Sequence, residues 1–168
     1  MEITADEILP DVKIIKPSVF EDHRGHNVTA FYEKDYASLK LNFIQDNYSM
    51  SRKNVIRGIH GDYETWKLVY CAFGELYLIV VDMRPDSLTF MKHTEHILTS
   101  SNKQVLIPPG VGNGFVVLSN ESVFSYKWSY DGEYPDENEQ FSIKWDDPLI
   151  GIDWPMDNPI LSKRDKSS

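Results

Sequence analysis

Three stretches of this sequence gather polar side chains among strand-forming neighbours, and their chemistry is complementary. The first is Phe20-Glu21-Asp22-His23-Arg24-Gly25. The second joins Gln45-Asp46-Asn47-Tyr48-Ser49 to Asn54-Val55-Ile56-Arg57-Gly58-Ile59-His60-Gly61-Asp62 and Lys67. The third is Tyr126-Lys127-Trp128-Ser129, with Tyr130 and Tyr134 shortly after. Arg24, Arg57 and Lys67 are suited to clamping a pyrophosphate, because a guanidinium fork and an ammonium both pair with phosphate oxygens. Gln45 and Asn47 can hydrogen-bond the same group or a sugar hydroxyl. Taken alone, His60 after a Gly reads as a surface residue, and Tyr126 in an apolar strand reads as packing with a satisfied hydroxyl.

The elements that have to position these residues are strands. Segments rich in Val, Ile, Tyr and Phe recur between Gly, Pro, Asn and Asp at 67–73, 75–82, 104–107, 115–118 and 123–129. Residues 75–82 are almost continuously apolar, and the short 72–75 connection suggests that 67–73 and 75–82 together form the core of a sheet. Only 33–41 has the periodicity of a short helix. About ten short strands without long helices lead to an all-β sandwich, jelly roll or barrel, which hides its sheet edges. The tail from 153, with Pro155 and Pro159, reads as an extended arm around the domain.

At 168 residues the chain is the length of one domain, and it has no apolar run of the roughly 20 residues that a membrane span needs. Residues 1–10 lack the apolar centre of a secretory signal, so a cytoplasmic location is expected. The net charge of −9 argues against nucleic acid as a partner, while a local group of cations can still hold a nucleotide-sized anion. The densest acidic patch, 131–139, reads as a solvated loop. Cys71 is the only cysteine, and its apolar flanks make it a buried strand thiol.

The motifs in their order resemble the dTDP-4-dehydrorhamnose 3,5-epimerase family of cupin enzymes, from about Phe20 to Asp165. They stand here as Asp22-His23-Arg24-Gly25, Gln45-Asp46-Asn47, Val55-Ile56-Arg57-Gly58-Ile59-His60, Lys67-Leu68-Val69, Val81-Asp82-Met83-Arg84, Ile107-Pro108-Pro109-Gly110, Tyr126-Lys127, Trp145-Asp146-Asp147-Pro148, Gly151-Ile152-Asp153-Trp154-Pro155 and Leu161-Ser162-Lys163-Arg164-Asp165. The resemblance implies a cupin-type jelly roll with a few short helices and an epimerase that inverts C3, C5 or both in a nucleotide-linked 4-keto sugar. It implies His60 as general base, Asp165 as its carboxylate partner, and Tyr126 as the acid on the other face of the sugar. Arg24, Gln45, Asn47, Arg57 and Lys67 become substrate contacts, joined in our reading by Phe20, Asn113 and Tyr134.

That chemistry explains the residue types. A hydrogen beside the C4 ketone is acidic because its carbanion delocalises into an enolate, and a base with a pKa near 7 is best placed to remove it. A carboxylate orients that base and stabilises the imidazolium. Inversion needs a proton from the opposite face, and a cation near the ketone oxygen, for which Lys67 is the candidate, stabilises the enolate. No cofactor is called for.

Two departures from the family pattern stand out. Asn113 occupies the place of a usual His, leaving too few ligands for the metal many cupins bind; His93 and His96 lack a His-x-His spacing, and with His23 and His26 they read as ordinary surface or fold residues. After His60 comes Gly61-Asp62-Tyr63-Glu64-Thr65-Trp66 rather than the usual aromatic-Gln and longer loop. With Tyr130-Asp131-Gly132-Glu133-Tyr134 and Asn158-Pro159-Ile160-Leu161-Ser162, this segment is similar to a branch acting on GDP-linked 4-keto heptoses, which tilts the expected nucleotide towards GDP over dTDP. Phe20 and Phe31 flank Arg24 and are placed to stack on the base. The alternatives are a 3,4-ketoisomerase and a non-catalytic sugar-nucleotide-binding cupin. A homodimer is expected, with apolar residues 12–19 covering a partner's sheet edge.

Overall fold

The computed structural model describes residues 1–130 and 138–167. Tyr134 and most of the acidic 131–139 stretch lie outside the described residues. Among the described residues, thirteen strands run in chain order: β1 (Glu2–Ala5), β2 (Lys13–Lys16), β3 (Val19–Asp22), β4 (Gly25–Val28), β5 (Gln45–Arg52), β6 (Ile56–Gly61), β7 (Trp66–Phe73), β8 (Glu75–Asp82), β9 (His93–Thr99), β10 (Gln104–Ile107), β11 (Val111–Val117), β12 (Glu121–Ser129) and β13 (Phe141–Ser142). Among the described residues, helix is confined to α1 (Glu33–Tyr36), the 3-10 turn Ala37–Leu39 that continues it, and α2 (Lys163–Ser167).

The strands form a six-stranded sheet ordered β1-β2-β10-β7-β12-β5 and a five-stranded sheet ordered β13-β6-β11-β8-β9, with β3 and β4 as a separate hairpin. Neighbours in both large sheets are antiparallel. The principal core lies between the sheets, where Val69, Cys71, Val105, Ile107 and Phe124 of one meet Leu76, Leu78, Val80, Leu98 and Phe115 of the other. A second core covers the outer face of the five-stranded sheet: Ile59, Ile79, Val81 and Val116 pack under Ile143, Ile150 and Trp154 from the C-terminal segment. The third, Ile15, Leu68 and Leu106 under Tyr36, uses the α1 region to cover the outer face of the six-stranded sheet. Strand β8 is therefore covered on both faces, which is why its sequence is apolar without alternation. Cys71 is buried as expected, and burial pushes its thiol up to about 11.

One expectation needs revision. Strands β7 and β8 are not hairpin neighbours: the single residue Gly74 between them carries the chain from one sheet to the other. Its φ of +82° and the lack of room for a Cβ, which would lie 2.3 Å from the Glu121 carbonyl oxygen, both call for glycine. Within the chain, β2 from the 12–19 segment lies between β10 and β1. Towards the C-terminus Ile160 bridges Val55, and α2 follows.

Candidate active site

A cavity of about 190 Å³ opens between the two sheets, with His60, Arg57 and Asn113 on one wall and Lys67, Tyr126 and Trp128 on the other. How His60 gets there depends on a break in β6. Strict alternation would put Arg57 and His60 on opposite faces of the sheet. Instead both line the cavity, while Ile56 and Ile59 both join the outer core. Gly58 makes the difference, with a φ of +107° and a backbone so close to β11 that a Cβ would lie 2.6 Å from the Asn113 carbonyl oxygen. The β6–β11 register shifts at the same point, between Asn113 and Phe115.

His60 is held from both sides. Its Nε2 lies 2.8 Å from Oδ1 of buried Asp165, and its Nδ1 lies 3.0 Å from the Ser142 hydroxyl. Burial by itself would raise the Asp165 pKa. Hydrogen bonds from His60, Ser162 and the Gly58 backbone outweigh it and hold the carboxyl below its ordinary range. Next to an ionised carboxylate Nε2 carries the proton, so the lone pair of the neutral imidazole sits on Nδ1. The Ser142 oxygen receives Arg164 N–H groups at 3.1 and 3.3 Å, which leaves its own hydrogen to be donated to Nδ1. Asp165 is fixed in turn by Ser162, whose hydroxyl donates to Oδ2 at 2.7 Å.

Lys67 enters from β7, buried, with Nζ 3.1 Å from Asp62 Oδ2. Burial pushes the ammonium down and the Asp62 charge pulls it back, leaving it below the ordinary lysine range. Tyr126 stands on β12, its ring 5.5 Å from Phe124 and 5.3 Å from Trp128. Burial raises its phenol pKa against the opposing pull of Arg57, so the hydroxyl keeps its proton at neutral pH. Arg57 donates to Ser51 at 2.9 Å.

The remaining sequence candidates divide. Asn113 faces His60 across the β6–β11 register and lines the cavity. Asn47 and Gln45 lie on β5 opposite Tyr126 and Trp128, at the margin, and the buried Asn47 Nδ2 has no hydrogen-bond partner among the described residues. Arg24 and Phe20 are elsewhere: they line a separate hollow on the β3–β4 hairpin, where Arg24 is forked onto Asp22 and Phe20 is 66% exposed. The sequence reading had not singled out Asp62, Ser142 or Arg164 as functional. Asp62 carried a signal, five residues before Lys67 in the segment that departs from the family pattern, and Arg164 stands beside Asp165 in the 161–165 motif; Ser142 carried none, being brought to His60 by folding alone. Among the described residues no three His, Cys, Asp or Glu side chains are grouped to hold a metal ion.

A family model described as dTDP-4-dehydrorhamnose 3,5-epimerase matches residues 6–168. The chain belongs to this family. The dTDP-4-dehydrorhamnose 3,5-epimerase of Shigella flexneri is 40% identical over 172 residues, covering 98% of this chain and 93% of that protein. The dTDP-4-dehydrorhamnose 3-epimerase of Streptomyces niveus is 32% identical, covering 96% and 77%. Among solved structures, the Legionella pneumophila dTDP-6-deoxy-D-glucose-3,5-epimerase in complex with dTDP-4-keto-L-rhamnose superposes with a TM-score of 0.90 at 35% identity, covering 99% of this chain and 90% of that one. As a member of the dTDP-4-dehydrorhamnose 3,5-epimerase family, the chain is a cupin-type jelly roll and an isomerase of nucleotide-linked 4-keto sugars. No helix among the described residues is long and apolar enough to cross a membrane.

Proposed function

We propose that His60 Nδ1 removes the hydrogen beside the C4 ketone and that Tyr126 returns a proton to the opposite face. The observation that carries this reading is that the two side chains reach one cavity from opposite sheets. The carbon-bound proton passes to Nδ1 as the Ser142 hydrogen bond gives way, the C–H electron pair forms a C=C bond to C4, and the carbonyl π pair moves onto the oxygen as an enolate beside Lys67. The phenol then protonates the carbon from the other side, and exchange with solvent resets both groups. The proton balance closes with no net oxidation, so the chemistry requires no cofactor. Arg57, Asn47 and Gln45 are assigned to the diphosphate and sugar hydroxyls, and Asn113 to the sugar beside His60. The cytoplasmic setting expected from the sequence goes with this reading.

The relatives named above support a dTDP-linked 4-keto-6-deoxyhexose as substrate. A second reading, a GDP-linked 4-keto heptose, rests on the departure of residues 61–66 from the family pattern. Incubating dTDP- and GDP-linked 4-keto sugars in D2O and following them by NMR tests both. Deuterium is expected at the inverted carbon, C3 alone or C3 and C5, with the ketone still at C4, and the nucleotide that turns over decides between the readings. A ketone found at C3 would mean a ketoisomerase, and no exchange with any substrate would mean a binding protein.

The reading includes a homodimer. Support comes from the exposed β3–β4 hairpin, which carries Phe20 and Arg24 away from its own cavity, and from Tyr48 and Met50, exposed on the edge strand β5. A second copy that brings its hairpin to the cavity would supply Arg24 as the missing diphosphate clamp. Sedimentation at micromolar concentration is expected to give a dimer, and monomer alone would rule this arrangement out.

A further inference from the structure

Asp62 is nearly inaccessible, and its two oxygens do different things. Oδ1 accepts the backbone N–H groups of Glu64 and Thr65 at 3.0 and 2.7 Å, which pins the carboxylate in the turn between β6 and β7. Oδ2 is thereby aimed at Lys67 Nζ, 3.1 Å away, and has no other partner among the described residues. We propose that Asp62 is a positioning residue for the epimerisation: its carboxylate keeps Lys67 cationic and aimed into the cavity, where it meets the oxygen that becomes the enolate. This rests on the assignment of Lys67 as the enolate's cation.

The physical reason is the environment of Lys67. Its side chain is 8% exposed, and an unpaired ammonium in such a place loses its proton rather than its solvation. The other groups around the cavity do not replace Asp62. Arg164 and Arg57 are cations, and the charge of Arg164 lowers the Lys67 pKa further. Asp165 is committed to His60, and Tyr126 keeps its proton. Burial would otherwise raise the Asp62 pKa, but Lys67, the Glu64 N–H and the Thr65 side chain hold it below the ordinary carboxylate value, so Asp62 is an anion at neutral pH. Residues 61–66 thus acquire a role within the chemistry: they deliver the counterion of the catalytic cation.

Asp62→Asn keeps the shape of the turn and the Oδ1 acceptor but removes the charge. Its kcat is expected to fall roughly 10- to 100-fold at pH 8.5 with KM changed by less than about threefold, and to recover towards wild type as the pH is lowered to 6 and Lys67 regains its proton. The direction follows from linkage: loss of the anion lowers the Lys67 pKa, so the alkaline limb of kcat moves to lower pH. Wild-type kcat at every pH, or a loss that is the same at every pH, would overturn the proposal. Lys67→Met separates the two levels of the argument. If it keeps wild-type turnover, the assignment of Lys67 fails and this proposal with it; if it is impaired while Asp62→Asn is not, only the role of Asp62 fails. Should Asp62→Asn not fold, the Lys67 13Cε resonance of lysine-labelled wild-type protein, assigned by its loss in Lys67→Met, carries the test. An ammonium at pH 7.5 is expected, and a neutral amine there would overturn the proposal.

Discussion

His60→Asn is expected to lower epimerisation by about 10³-fold or more while leaving the affinity for nucleoside diphosphate within about threefold. An asparagine side chain is shorter than the imidazole, but its amide can take the place of Nδ1 beside Ser142, so most of that wall of the cavity is kept. What it lacks is a group able to accept a proton near neutral pH. The loss should fall on kcat and on solvent exchange together, because without a base no enolate forms. Arg57 and Asn47, assigned to the diphosphate and sugar, are untouched by the change. Deuterium incorporation followed by NMR, alongside calorimetric titration with the nucleotide, checks both halves. Turnover close to wild type would remove His60 from the mechanism.

Tyr126→Phe should separate two steps that occur together in the native enzyme. The ring keeps its contacts with Phe124 and Trp128, so packing is preserved and only the hydroxyl is lost. His60 still makes the enolate, so the hydrogen beside the ketone continues to exchange with D2O. Inversion is expected to fall about 10²-fold, because no acid remains on the other face. In the wild type the raised phenol pKa keeps Tyr126 protonated across pH 6 to 8, so this acid gives the rate no alkaline limb in that range. Loss of exchange together with inversion, or retention of both, would sink the assignment.

Much of the scaffold was legible because burial leaves a mark on sequence. The run of residues 75–82 is apolar on both faces because both faces of β8 are covered, one by the opposite sheet and one by the C-terminal segment. Residues 104–107 match β10 to the residue, and 33–41 holds α1 and its 3-10 extension. Where one local rule led the reading astray, packing had overridden it. A short Gly-containing connection normally joins hairpin partners, yet Gly74 crosses between sheets because β7 and β8 each find better-covered neighbours there.

The class of fold, the family and the chemical types needed for enolisation could be read from the residues in their order: an imidazole, a phenol, a carboxylate and an ammonium. How these groups meet is set by packing. Period-two alternation puts Arg57 and His60 on opposite faces, and it takes the positive φ of Gly58 and a register shift against β11 to turn both into one cavity. Ser142 is 82 residues from His60 in the chain and Asp165 lies farther still, so nothing local in the sequence encodes their hydrogen bonds. Phe20 and Arg24 share their motif with the site but not its location, because the β3–β4 hairpin pairs only with itself. Side-chain type is a property of sequence; mutual distance and the pKa values that depend on it are properties of packing.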